Sequence, residues 1–216
     1  MRSLVIETAT RACSVALFEN ADGVWKEIAA RHEVIGRGHA ERLIPAIAAL
    51  PDRGKAGKIY VSIGPGSFTG LRIGIAAARA LGVAWGSEVR GFHTLALTAM
   101  SGAVTPGTPM TVCMNGGHGE WFVQNFGADK QAEGSVLSLS PDNAVEHARH
   151  TDIVGDRSVQ LAELIGRNCT AYEVLPDARY FDRLGPVHVT GYVVPAYGRA
   201  PDASLPNSRA DDLRNG

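Results

Sequence analysis

The chain has 216 residues, of which 45% are hydrophobic, and its formal net charge is -1. This length suffices for one large core or two small ones, and the near-zero charge excludes a general electrostatic attraction to nucleic acid. The three cysteines form no CxxC pair, which excludes the common zinc and redox motifs and indicates a reducing compartment. Residues 1–20 have neither a signal-peptide pattern nor a membrane-spanning apolar run, so we expect a cytoplasmic location and no membrane partner.

The first half of the chain predicts three strands followed by alternating helices and strands. In chain order these are strands at SLVIET, CSVALFEN and WKEIAARHEV, a helix over 39–50 kinked by Pro45, a strand at KIYVSIG, a helix over 70–85, a strand at VRGF and a helix at TLALTAMS. An antiparallel hairpin at the edge of a mostly parallel sheet is the pattern of one lobe of an actin-like (ASKHA, ribonuclease H-like) α/β fold.

A linker, AVTPGTP, divides the chain near its middle, and the second half repeats the element order of the first. Strands are predicted at MTVCMN, EWFVQNF, GSVLSLS and TDIVG, and helices at PDNAVEHARH and SVQLAELIGR. We therefore predict two similar lobes, each a mixed sheet with helices, over residues 1–102 and 103–194. Residues 195–216 lack apolar periodicity and are predicted to be a polar tail that is mobile or packed on the surface.

The segment IGPGSFTGLRIG resembles a phosphate-binding loop in composition, but no known spacing matches. It lacks the Walker lysine, its glycines follow GxGxxxG instead of the Rossmann GxGxxG, and GSFTG is not a GxSxG nucleophile elbow. The candidate loop and helix-start residues are Gly64, Pro65, Gly66, Ser67, Phe68, Thr69, Gly70 and Arg72. A sharp turn capped by Ser67 or Thr69 explains them without a ligand, and a weak phosphate contact at the helix start remains the alternative.

The helix that follows carries a ridge of small residues. Gly70, Gly74, Ala78 and Gly82 recur every four residues, and each glycine inside a helix is about 1 kcal/mol less favourable than alanine. Close approach of another backbone would offset this, either from a helix of a partner protein or from the chain's own sheet. Packing geometry alone leaves both alternatives open.

Candidate ligands for a metal or a nucleotide are few. His39 begins the first helix, but position 43, one turn on, is Leu43 and not a second ligand. Glu7 stands where actin-like kinases keep an acidic residue, and with Thr8 it forms at most a vestigial nucleotide site, because the turn TATRA lacks a glycine that would admit a phosphate. No metal site is predicted.

Three segments, LVIETATRACSVAL, GHAERLIPAI and VSIGPGSFTGLRIGIAAARALG, closely resemble the bacterial TsaB family, also called YeaZ. The resemblance is strong over about the first hundred residues. It implies a two-lobed actin-like fold and a role in making N6-threonylcarbamoyladenosine beside the tRNA anticodon. It further implies a non-catalytic, degenerate relative of TsaD, the subunit that transfers the threonylcarbamoyl group. TsaD-like proteins carry HxxxH on the first helix, and Leu43 here replaces the second histidine.

The resemblance also implies partners. The chain would pair with TsaD through the first-lobe helices, the ATPase TsaE would join, tRNA would be reached through the complex, and a homodimer would form when TsaD is absent. The expected interface residues are His39, Ala40, Leu43, Ile44, Ile47, Leu71, Gly74, Ile75, Ala78 and Leu81. No cofactor is expected beyond weak or shared ATP or ADP binding at a complex interface. The alternative function is an actin-like ATPase or metal-dependent hydrolase that would use Glu7, His39 and the helix start after Gly66.

Overall fold

The computed structural model describes residues 1–166 and 168–197, and most of the first half of the chain forms one mixed sheet with three helices. Its elements are β1 (Arg2–Glu7), β2 (Ala12–Ala21), β3 (Val24–Val34), α1 (His39–Ala48), β4 (Lys58–Gly64), α2 (Phe68–Trp85), β5 (Glu88–His93) and α3 (Thr94–Ala99). The strand order is β5-β4-β1-β2-β3, with β1 parallel to β4 and antiparallel to β2. The predicted strands and helices of this half are confirmed.

The second half builds a smaller sheet with the same connectivity. Its elements are β6 (Met110–Gly117), β7 (Glu120–Phe126), β8 (Leu137–Leu139), α4 (Pro141–His147), β9 (Asp152–Val154), α5 (Ser158–Ile165) and β10 (Thr170–Tyr172). The order β10-β9-β6-β7-β8 repeats that of the first sheet position by position. This repetition confirms the predicted actin-like fold with two similar lobes.

After β10 the chain returns to the first lobe. A 3₁₀ segment over Ala178–Arg183 precedes β11 (Val189–Thr190), which pairs antiparallel with β5. The ring of Phe181 lies 4.5 Å from that of Tyr60 and 5.4 Å from that of Phe92, centroid to centroid. The sequence assigns residues 103–194 to the second lobe, whereas this returning segment packs on the first sheet, because its Phe181 is buried among aromatic side chains of that sheet.

The helices divide between the two faces of the first sheet. α1 and α2 cover one face through Leu43, Ile47, Ile75 and Ala78, and the returning segment covers the other together with α3. The predicted helix over 39–50 ends at Ala48, and the one predicted to begin at residue 70 begins at Phe68. Within the described residues, no helix combines the length and the apolar character that crossing a membrane requires. The predicted polar tail falls on residues 195–216, of which 198–216 lie outside the described residues.

Candidate functional site

A cleft of about 1160 Å³ lies between the two lobes. Its first-lobe wall consists of the turn after β1 and the loop between β4 and α2, and its second-lobe wall consists of the end of β6 and the loop before α5. Polar and charged lining residues are Thr10, Arg11, Ser67, Arg72, Asn115, His118, Asp156, Arg157, Gln160 and Glu173. The cleft is therefore large enough for a small ligand and has charges of both signs.

Glu7 and Thr8 lie beneath this cleft and do not line it. Both are fully buried. The Glu7 carboxylate accepts the N–H of Ala9 through Oε1 at 2.5 Å, and burial raises the pKa of Glu7 to about 8. The Thr8 hydroxyl donates to the carbonyl of Gly70 at 2.8 Å. Their observed partners are thus backbone groups of the chain's own turn and helix.

The glycine-rich loop rests directly on the turn after β1. The N–H of Ser67 donates to the carbonyl of Ala9 at 2.6 Å, and a β-carbon at Gly66 would overlap that same carbonyl. The Ser67 hydroxyl accepts the N–H of Gly70 at 3.2 Å and caps α2. Gly64 has φ of 106°, which favours glycine. The contacts therefore account for the loop as a turn and cap, the first of the two sequence interpretations.

The second lobe repeats this arrangement with different residues. A β-carbon at Gly155 would overlap the carbonyl of Cys113, and the N–H of Arg157 donates to that carbonyl at 3.2 Å. The carboxylate of Asp156 accepts the N–H of Asn115 at 2.8 Å, and burial raises the pKa of Asp156. A carboxyl group therefore accepts a backbone N–H in each lobe, Glu7 that of Ala9 and Asp156 that of Asn115, and these two amide donors are already satisfied within the chain.

The ridge of small residues faces the chain's own sheet. A β-carbon at Gly70 would overlap the carbonyl of Thr8, one at Gly74 would overlap the Thr8 hydroxyl, and one at Gly82 would overlap the Val89 side chain. Ala78 is fully buried. The ridge thus offsets its low helix propensity by close approach of α2 to the turn after β1 and to β5, which answers the question that packing geometry left open.

The expected interface residues divide into a buried and an outward set. His39, Leu43, Ile47, Leu71, Gly74, Ile75 and Ala78 are buried within this chain, Leu81 is partly buried, and Ala40 and Ile44 are exposed. The buried set stabilises the lobe and has little surface to offer a partner. Every turn of a helix has side chains on opposite faces, and both faces of these helices carry apolar residues. Helical periodicity therefore identified the helices correctly but did not identify which of their faces is outward.

The outward faces of α1 and α2 together form an apolar surface of small side chains, which we call the outer helical face. It consists of Ala40, Ile44 and Ala48 from α1 and Ala76, Ala80, Val83 and Ala84 from α2. Ile44 is 49% exposed and Val83 is 87% exposed. The sequence contained a signal for this face, because Ala76, Ala80 and Ala84 recur every four residues on the side of α2 opposite the glycine ridge.

His39 is not available as a metal ligand in this arrangement. It is buried, and its Nε2 lies 3.1 Å from the carbonyl of Ala12. Over residues 1–166 and 168–197, no cluster of three or more histidine, cysteine, aspartate or glutamate side chains could hold a metal ion.

An aromatic and cationic cluster, which sequence reasoning did not assemble, stands at the mouth of the cleft. The guanidinium carbon of Arg72 lies 3.6 Å from the ring centroid of Phe68, and Arg72 Nε donates to the Tyr197 hydroxyl at 3.2 Å. The Phe68 and Tyr197 rings are 5.1 Å apart. Phe68 and Arg72 were expected as helix-start residues, but Tyr197 is 125 residues further on. Only the close spacing of Phe68 and Arg72 could have been found from the sequence.

Comparison with known proteins gives one family and several relatives. The sequence model of the TsaD family, tRNA N6-adenosine threonylcarbamoyltransferase, matches residues 16–179. The tRNA threonylcarbamoyladenosine biosynthesis protein TsaB of Escherichia coli (strain K12) is 39% identical over 94 residues, which are 41% of this chain and 38% of that protein. The tRNA N6-adenosine threonylcarbamoyltransferase of Solidesulfovibrio magneticus is 32% identical over 202 residues, 85% of this chain and 53% of that protein.

The solved structure of YeaZ from Pseudomonas aeruginosa superposes with a TM-score of 0.69 at 24% identity, covering 91% of this chain and 99% of that one. At this identity the likeness concerns the fold. The chain matches about two fifths of the length of the curated Escherichia coli TsaB and about half that of the transferase.

Proposed function

The chain belongs to the TsaD family, and we propose that it serves tRNA threonylcarbamoyladenosine synthesis as a non-catalytic scaffold that pairs with a catalytic TsaD. TsaE joins this pair, and tRNA is reached through the complex. When TsaD is absent, a second copy of the chain takes its place. The observation that carries the proposal is the outer helical face on α1 and α2.

This face has the chemistry of a helix-packing surface. Five of its seven members are alanines, so the backbone of a partner helix can approach to about 8 Å between axes. Val83 and Ile44 provide larger apolar side chains that water surrounds in the free chain. Burying one such side chain stabilises a complex by roughly 1.5–3 kcal/mol before the losses of association. TsaD is the partner we assign, because its family is the one that the chain matches.

The cleft supports the non-catalytic part of the proposal. The amides of Ala9 and Asn115 are engaged by Glu7 and Asp156, and His39 contacts a backbone carbonyl instead of solvent. These contacts favour a protein that holds its partner over one that transfers a group itself.

Light scattering of the chain mixed with the TsaD of the same organism tests the proposal. We expect a one-to-one complex with the unmodified chain and about a hundredfold weaker pairing with Ala80→Arg, because the arginine separates the helices. Ala80 is exposed, so the variant should remain folded. The matched control is Leu164→Arg on α5, also exposed, which should pair as the unmodified chain does.

The outcomes separate the parts of the proposal. Normal pairing by Ala80→Arg would show that the outer helical face is not the contact. No pairing by the unmodified chain would contradict the scaffold function. Tight magnesium-ATP binding by the isolated chain, measured by calorimetry, would instead support the alternative of an actin-like ATPase.

A further inference from the structure

The cluster of Phe68, Arg72 and Tyr197 lies outside the residues assigned to the proposed pairing. Phe68 and Arg72 line the cleft at the start of α2, about 12 Å and 6 Å along the helix before Ala76, where the outer helical face begins on this helix. Phe68 lines the cleft and is 52% exposed. Its ring is instead held against the Arg72 guanidinium, and Arg72 is held by the Tyr197 hydroxyl. The three side chains therefore present a pre-ordered, partly exposed surface of flat groups.

Such a surface suits a planar ligand. Unpaired nucleobases stack on aromatic rings and on guanidinium planes, and stacking does not depend on the identity of the base. Two more arginines, Arg11 and Arg157, line the same cleft, so a phosphate attached to the base would find cations on both walls. Arg11 is paired to Glu173 at 3.2 Å across the cleft, in an exposed pair of the kind that an anion can displace.

The rest of the cleft distinguishes between the possible sources of a nucleobase. Backbone N–H donors commonly hold free nucleoside di- and triphosphates, and here Glu7 and Asp156 engage the amides of Ala9 and Asn115. A nucleotide within an RNA strand carries single phosphates spaced along the chain, which isolated arginine side chains can contact.

We propose that the Phe68, Arg72 and Tyr197 cluster binds an unpaired nucleobase of an RNA strand, with Arg11 and Arg157 contacting its phosphates. The inference rests on the proposed function, in which the chain belongs to a complex that acts on tRNA. It adds a direct RNA contact on this chain to the protein contact on the outer helical face. The net charge of -1 makes this contact local, so its affinity is modest and falls with salt.

Fluorescence anisotropy of a labelled, unmodified anticodon stem-loop RNA with the full chain and with the TsaD pair tests the inference. Phe68→Ala and Arg72→Ala should each weaken binding about tenfold, the usual loss for a stacked base. The matched control is Leu164→Ala on α5, which lies outside both the cleft and the outer helical face and should leave RNA binding unchanged. All three positions are exposed, so circular dichroism should show folded proteins.

Two results would overturn the inference. One is binding of the RNA by Phe68→Ala and Arg72→Ala as tightly as by the unmodified chain. The other is displacement of the RNA by free ATP at concentrations similar to those of the stem-loop, which would assign the cluster to a free nucleotide. Pairing with TsaD is measured on Phe68→Ala and Arg72→Ala by light scattering and should not change, so failure of the RNA contact is separable from failure of the scaffold function.

Discussion

The two lobes share one strand order and differ in what they expose. In the first lobe, α2 has 18 residues, and its outward positions include the alanines of the outer helical face. In the second lobe, the corresponding α5 has eight residues and exposes Gln160 and Glu163 beside Val159 and Leu164. The shared topology therefore determines how each lobe folds, while the outward residues determine which lobe is suited to bind a protein.

The lobes also differ in how much chain stabilises them. β2 and β3 of the first sheet have ten and eleven residues, whereas β8, β9 and β10 have three each. The returning segment adds Phe181 and β11 to the first lobe. We therefore expect the first lobe to be the more stable unit, and substitutions at corresponding places test this.

The largest expected effect comes from Gly74→Leu. The added side chain would overlap the Thr8 hydroxyl and press against Val61, so we expect loss of the folded state, a change exceeding about 3 kcal/mol. Urea unfolding followed by circular dichroism measures the change. Ala76→Leu, exposed on the same helix, should change stability by no more than about 0.5 kcal/mol.

Phe181→Ala should come next. This ring is buried against Trp25, Tyr60 and Phe92, and its removal should destabilise the protein by about 3–5 kcal/mol. The rate of hydrogen exchange at the amides of β5 should rise, because β11 detaches from this strand. Tyr192→Ala, at an aromatic ring that is 82% exposed, is the control and should have little effect. Equal effects of the two variants would contradict the role of the returning segment.

A pH effect should distinguish the buried Glu7 from Asp156. Burial raises the pKa of Glu7 from 4.5 to about 8, so between these values the folded state keeps a proton that the unfolded state releases. The contribution of this bound proton to the free energy of unfolding is complete below about pH 4.5. It is lost as the pH rises through about 8, by about 1.4 kcal/mol per pH unit. The free energy of unfolding, measured across this pH range, should fall with a smaller slope in Glu7→Gln than in the unmodified chain. Asp156→Asn should change it less, because Asp156 is only partly buried.

The smallest expected effect concerns the helix caps. Ser67 caps α2 and Ser140 caps α4, accepting the N–H groups of Gly70 and Asn143 at 3.2 and 3.4 Å. Replacing either serine by alanine should destabilise the protein by about 1 kcal/mol in urea unfolding. A much larger loss for Ser140→Ala would mean that the second lobe depends on its short helix more than the comparison of the lobes implies.

Local patterns predicted most of the fold. Alternating and continuous apolar runs indicated β1 to β7, and apolar spacing indicated α1 and α2, because each such pattern reflects one face that must be buried. The returning segment was missed because β11 has only two residues and its partner strand lies about a hundred residues earlier. A strand of two residues is too short to show the alternation of apolar and polar residues from which strands are predicted.

The candidate site was predicted less well. Phe68 and Arg72 were identified as helix-start residues, but their partner Tyr197 and the facing Asp156 and Arg157 come from distant parts of the chain. The hydrogen bond from the Asn115 amide to the Asp156 carboxyl group was also missed, since the sequence Val154-Gly155-Asp156 alone predicts an ordinary turn. Sites between lobes form from side chains that only the folded chain brings together.

The sequence by itself determined the family, the order of the elements and the two-lobed architecture, because these depend on motifs and on the burial of one face of each element. Tertiary structure alone decided the direction of the glycine ridge on α2. Gly70 and Gly74 permit close approach of any backbone, and the sheet of the same chain takes that place because it is covalently connected and always present. The alanines between these glycines are consequently left outward, where a partner can reach them.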